Sequence, residues 1–259
     1  FSSNSKYAGD IRTGYIGDRL SIWIHLLQEN GLHTFVALFL LMMSLFCIII
    51  CFILKYLYKK ELPLNYLAWT LFFCAFWMIS EMSFRQIIYR NISILSYFTY
   101  WSLMIIPLPL ITFINDLQKG RYKKVFLIPQ VYTMCIMIVG TLLQVFDIVQ
   151  FVEQLKFIHG GLLVSIVCII ATITIDTFTH QLGDYLFVGI GIYGLLLSAI
   201  FEMVFYYLQV DISLGTILAV GLMFLLVMAI VKTGKDLLGA EKHKQEAIVA
   251  REAQAKFLA

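Results

Sequence analysis

Residues 30–54 read NGLHTFVALFLLMMSLFCIIICFIL, without a single Asp, Glu, Lys or Arg. As a helix rising about 1.5 Å per residue this run reaches roughly 37 Å, more than the ~30 Å hydrocarbon core of a bilayer. Six further stretches share the property: 62–80, 91–115, 125–146, 157–175, 185–201 and 212–231. In lipid, single segments this short satisfy all their backbone groups only as helices. A barrel would show alternating segments of about ten residues, and no such alternation is present. The expected fold is therefore all-α: a seven-transmembrane helix bundle with short connections.

Composition points the same way. Of 259 residues, 61% are hydrophobic and 14% charged, against about 45–50% and about 25% in soluble domains. There is too little polar surface to cover a soluble globule, and the same figures exclude disorder. The net charge of +3 is small, and Lys and Arg sit in short clusters beside apolar runs, which argues against nucleic acid as a partner. Cys47, Cys51, Cys74, Cys135 and Cys168 all lie inside apolar stretches, where cysteine behaves as a small hydrophobe. Cys47 and Cys51 share a helical face, but no further His or Cys is near enough in sequence to complete a four-ligand metal site. No metal or cofactor is expected.

Basic residues in short loops set the orientation. Lys55, Lys59 and Lys60 follow the first run, Lys119, Arg121, Lys123 and Lys124 the third, and Lys232, Lys235, Lys242 and Lys244 the seventh. The loops on the opposite side carry only Arg85, Arg90 and Lys156. This places the N-terminus outside and the C-terminus in the cytoplasm of a multi-pass membrane protein.

Three regions follow: an extracellular segment 1–33, a transmembrane domain 34–233 and a cytoplasmic helix 234–259. Within the first, Leu20, Trp23, Ile24 and Leu27 repeat at i, i+3, i+4, i+7, an amphipathic face. Residues 18–30 are thus expected to form a short interfacial helix, ended by Gly31, or the last element of an extracellular domain. The chain begins at Phe1 without an initiator Met and reads as an excised or processed piece. Residues 232–259 regain charge, lack Pro and carry six alanines from Ala240 to Ala259. They form a helix by propensity, either a marginal parallel coiled coil or a solvated single helix.

Ionisable residues inside spans are costly and usually face a bundle interior. Glu81 falls about 28 Å along the second run and Glu202 about 25 Å along the sixth. Arg85 lies one turn beyond Glu81, and His159 begins the fifth run. All four share one depth, near Tyr100, Trp101, Tyr206 and Tyr207. They form either an outward-facing polar pocket or a structural Glu–Arg–Glu network binding helices together. Pro107 and Pro109 predict a kink in the third run. Gly189-Ile-Gly191-Ile-Tyr-Gly194 spells GxGxxG, but inside an apolar run it reads as a close helix contact rather than a dinucleotide loop. Asn115, Asp116 and Asp176 are expected to cap or solvate helix ends, and Asn91-Ile-Ser93 is a glycosylation sequon. No catalytic constellation is visible. A retinal protein needs a mid-span Lys in its last helix, whereas Lys232 sits at the exit. A G-protein-coupled receptor needs DRY-like and NPxxY motifs, where this chain has Phe113-Ile-Asn115-Asp116 and Leu222-Met-Phe-Leu225.

The blocks Leu67-Ala-Trp-Thr-Leu-Phe-Phe-Cys-Ala-Phe-Trp77-Met-Ile-Ser-Glu81 and Tyr97-Phe-Thr-Tyr-Trp-Ser-Leu103-Met-Ile-Ile-Pro107-Leu-Pro109 resemble the bacterial seven-helix receptors with diverse intracellular signalling modules. The likeness extends loosely over 33–234. Glu246-Ala-Ile-Val-Ala-Arg251-Glu-Ala-Gln-Ala-Lys256-Phe257-Leu258-Ala259 further resembles the helix leading into a histidine kinase phosphoacceptor box; His243 does not match the phosphoacceptor position. The resemblance implies a sensor module in the bacterial inner membrane that works as a homodimer. It would take its stimulus from a small ligand or an extracellular sensing domain, and act on a response regulator through domains outside this sequence. The alternatives are a receptor module of a diguanylate cyclase and a small-solute transporter or channel.

Overall fold

The computed structural model describes residues 18–59, 62–81, 92–208 and 215–258. Among these the regular elements are all helical: α1 Arg19–Tyr58, α2 Leu64–Glu81, α3 Ile92–Ile105, α4 Pro107–Leu117, α5 Lys123–Val145, α6 Phe151–Phe178, a 3-10 turn Leu182–Tyr185, α7 Leu186–Tyr207 and α8 Thr216–Leu258. Six helical stretches are long and apolar enough to cross a membrane: Gly31–Leu57, Ser96–Leu117, Lys123–Val145, Phe151–Phe178, Leu186–Tyr207 and Thr216–Ile248. By length and composition this is a multi-pass, all-helical membrane protein. Large apolar side chains such as Phe35, Phe52, Ile128 and Phe178 stand on the outer surface, where lipid rather than water would cover them.

The helix α2 is not among those six. Asn65, Tyr66, Trp69 and Trp77 dilute its 18 residues. It nevertheless packs against α1, α3, α4 and α8, and ten of its residues are buried. The buried face of α2 meets protein instead of lipid, while Trp69 stands on the outer surface, so less of its hydropathy has to satisfy the bilayer.

Two boundaries differ from the sequence reading. Gly31 does not end a helix. It lacks the left-handed φ of a terminating glycine, so the expected short interfacial helix 18–30 is the opening of a continuous 40-residue α1 that runs unbroken past residue 33. A helical glycine costs only about 1 kcal/mol relative to alanine, which so long a helix absorbs. The third run does divide: α3 ends at Ile105 and α4 opens on Pro107. Ile106 N–H still donates to Ser102 O at 3.2 Å, but Pro107 and Pro109 have no N–H to continue the ladder.

Small residues set the α7–α8 contact. A Cβ on Gly191 would meet the Leu225 Cα at 3.1 Å, and one on Gly221 would meet Ser198 Cβ at 2.9 Å and Leu195 Cα at 3.2 Å. Of the α7 glycines, Gly191 thus serves backbone approach, whereas Gly189 faces the Leu182 side chain and Gly194 that of Phe224.

At the end of the bundle where α4 and α6 terminate, Asp176 is fully buried, so the expectation that it caps or solvates a helix end is wrong. Its carboxylate accepts from Gln118 Nε2 at 3.1 Å, Arg121 Nη2 at 3.0 Å, Tyr122 OH at 2.8 Å and, at short range, Tyr185 OH. One acid therefore gathers the end of α4, the α4–α5 turn and the 3-10 turn onto α6. Burial and the adjacent carboxylate push the Tyr185 and Tyr122 phenols above their ordinary range, which keeps both as donors.

Candidate functional site

A partly open cavity lies where α2, α3, α4, α6, α7 and α8 converge. The α3–α4 break helps to make room for it, since Leu103, Ile106, Pro107 and Leu110 form part of its wall. One end is apolar and closed: Ile169, Leu195, Leu196 and Leu222 are buried. The polar side chains there face their own helices. Thr70 Oγ1 donates to Tyr66 O at 3.0 Å and Ser165 Oγ to Gly161 O at 2.8 Å, so they present little unmet polarity to the cavity.

The other end is polar and more exposed. Glu81 of α2, His159 of α6, and Glu202 and Tyr206 of α7 line it. His159 is half-buried, with its Nδ1 3.0 Å from the Tyr207 hydroxyl and its ring edge-on to Tyr206 at 5.2 Å between centroids. Of the expected polar residues, Glu81, His159 and Glu202 therefore share one cavity, while Arg85 lies outside the described residues. Pro107 stands in the cavity wall. Pro109 does not line it. Tyr100 joins the lining, whereas Trp101 turns away and donates from Nε1 to Thr141 Oγ1 at 2.9 Å.

Glu202 has a role that its sequence position does not reveal. Its Oε1 accepts the Gly215 N–H, and its Oε2 accepts the Leu218 N–H at 3.3 Å. These amides open α8. The first turn of a helix leaves its N–H groups unpaired and carries positive dipole charge, so a carboxylate there is doubly favourable. Thus Glu202, from α7, caps α8 across the connection between them. Gly215 makes the geometry possible: its φ of +91° disfavours other residues, and a Cβ would run into Met78 and Trp77.

A second tie to the same turn comes from His33, which is buried and places its Nδ1 3.2 Å from Thr216 Oγ1. The sequence offered no signal for it, because a neutral His does not interrupt a run defined by the absence of charge. With Glu202 and His33, α7 and α1 both hold the N-terminus of α8, and Glu202, Leu218 and Leu222 also form cavity wall.

Glu202→Ala is expected to cost about 2 kcal/mol, the upper range for losing a helix cap, and Glu202→Gln about half that, since one amide keeps an acceptor. Thermal unfolding with hydrogen exchange at 215–218 checks this: exchange there should rise more than in α5. Unchanged exchange at these amides would show that the cap carries no energy.

Among the described residues no group of three His, Cys, Asp or Glu is placed to hold a metal ion. Comparison of the chain with protein-family models, with curated proteins and with solved structures gives no match.

Proposed function

We propose that the chain is the transmembrane sensory module of a bacterial sensor histidine kinase, seated in the inner membrane. In this reading it has seven spans, with α2 as the central one, the N-terminus outside and the C-terminal helix in the cytoplasm. The observation that carries the reading is α8. It starts in the cavity wall, capped by Glu202, and continues without a break for 43 residues, about 64 Å at the helical rise. Past the apolar part it becomes charged, with Lys232 bonded to Asp236 one turn on at 2.6 Å and Leu238 exposed. A ligand that binds one arrangement of the cavity better than another shifts the populations of the two. A rigid helix rooted in the cavity wall passes that shift to a kinase dimer outside the membrane.

A transporter would not need a helix that projects so far beyond its bundle. A diguanylate cyclase output would use the same helix, and the residues Glu246–Ala259 favour the kinase only by resemblance.

The test is helical phase. The chain is fused at Ala259 to a histidine kinase core, and one to seven residues are inserted after Gly239. One inserted residue rotates everything downstream by about 100° and should lock autophosphorylation on or off, whereas seven residues, close to two turns, should restore the parental level. Equal activity across the series would overturn the reading.

A further inference from the structure

We infer that the cavity binds a single hydrocarbon chain, taken up from the bilayer between α6 and α7. The inference rests on the reading of the protein as a receptor and names the chemistry of its ligand.

Wall chemistry gives the class. The closed end is walled by Ile169, Leu195, Leu196 and Leu222. The hydroxyls of Thr70 and Ser165 are already bonded to their own helices, at Tyr66 O and Gly161 O. Such a wall offers little to a polar ligand, and an apolar cavity stays dry and takes apolar molecules. Left empty, its lining forgoes dispersion contacts. Filling it is therefore favourable even for a chain that leaves equally apolar lipid.

Shape gives the length. From the polar end to the closed end the lining runs from His159 to Ile169 on α6 and from Tyr206 to Leu195 on α7. At the helical rise these spans are about 15 and 17 Å. An extended chain advances roughly 1.2 Å per bond, so about a dozen carbons fit. A head group, where the chain carries one, is left at the end lined by His159, Glu202 and Tyr206.

Packing gives the route. The helices α6 and α7 follow one another in the chain but touch little. One end of the pair is tied by His159, whose Nδ1 lies 3.0 Å from the Tyr207 hydroxyl. The other is tied by Tyr185, in the turn before α7, whose hydroxyl donates to Asp176. Between these ties Leu162 of α6 and Ala199 and Met203 of α7 line the cavity and are only half-buried. Next to them Leu163 and Ile200 are exposed. In a membrane this seam faces lipid, so a chain slides in sideways without crossing water.

The protein in phosphatidylcholine nanodiscs is given dodecan-1-ol that carries a diazirine near its last carbon, then irradiated, and the labelled residues are mapped by mass spectrometry. Saturable labelling, one per chain, is expected at the closed end, on the buried Ile169, Leu195, Leu196 or Leu222. Unlabelled dodecan-1-ol should suppress it at least roughly tenfold more effectively than octan-1-ol, which leaves part of the cavity empty. Hexadecan-1-ol should do no better than dodecan-1-ol, because its extra carbons have no room. Ala199→Phe, which fills the cavity from α7, should abolish labelling at the closed end; if that variant does not fold, the chain-length series carries the test alone. A second arm places the diazirine at the end of a phosphatidylcholine acyl chain. Closed-end labelling by that lipid identifies the membrane as the source of the chain, and its absence a free amphiphile. Labelling by the alcohol confined to outward residues such as Phe157 and Val167, or suppression that does not depend on chain length, would overturn the inference. Labelling is read without any kinase, so its failure is distinct from failure of the insertion series, which concerns α8 alone.

Discussion

Replacing Asp176 with alanine should cost about 3 kcal/mol of stability and loosen the end of the bundle where α4, α5 and α6 meet. The carboxylate is fully buried and accepts four hydrogen bonds, from Gln118, Arg121, Tyr122 and Tyr185. Removing it strands all four donors, and breaking a buried ion pair costs roughly 3–5 kcal/mol. The lower figure applies because the Arg121 side chain is 31% exposed and can turn to solvent. Asp176→Asn keeps one acceptor and should lose about half as much. Tyr185→Phe removes one hydrogen bond to a charged group and should cost about 1.5 kcal/mol. Residues sharing one network are not additive. In the Asp176→Asn background, therefore, Tyr185→Phe should cost clearly less than it does alone. Denaturant-induced unfolding in detergent micelles measures each term. Additive losses would mean that the four bonds act independently and that Asp176 is not a hub.

The apolar runs made the helices legible, because in a bilayer charge is expensive enough to mark where a helix can cross. Absence of charge also marked 62–80, but α2 is too dilute in apolar residues to stand among the six helices long and apolar enough to cross a membrane, and its packing on α1, α3, α4 and α8 is a property of its neighbours. Glu81, His159 and Glu202, which a fixed rise per residue sets at one level, line one cavity. Rotation and partners were not legible. Glu202 bonds to backbone amides of Gly215 and Leu218, and an amide has no signature in sequence because every residue but proline carries one. His33 was hidden by its neutrality, and Gly31 looked like a terminator because glycine ends helices only where the chain turns left-handed. Asp176 looked like a helix-end residue in solvent, and only the fold brings Arg121, Tyr122 and Tyr185 around it.

Gly221→Val is expected to separate α7 from α8 at a cost of about 3 kcal/mol, and the sign of milder substitutions along α8 should depend on position. A Cβ at 221 falls 2.9 Å from the Ser198 Cβ and 3.2 Å from the Leu195 Cα. Neither atom moves without moving the α7 backbone. Overpacking of this kind costs typically 1–3 kcal/mol, occasionally more, and a branched side chain stands at the upper end. Even Gly221→Ala should destabilise, although alanine is the better helix former by about 1 kcal/mol. At Gly234 and Gly239 nothing lies within 4 Å of the added carbon, so the same change there has only the propensity gain and should stabilise by about 0.5–1 kcal/mol. Unfolding of the three Gly→Ala variants in micelles therefore should show one loss and two gains. The functional consequence follows from geometry. Leu218 and Leu222 flank Gly221 and form cavity wall, so a displaced α8 alters the site and the helix that leaves it together. If Gly221→Ala stabilised the protein as Gly234→Ala does, the close α7–α8 approach would not exist in the folded protein, and the cavity wall built on it would have to be redrawn.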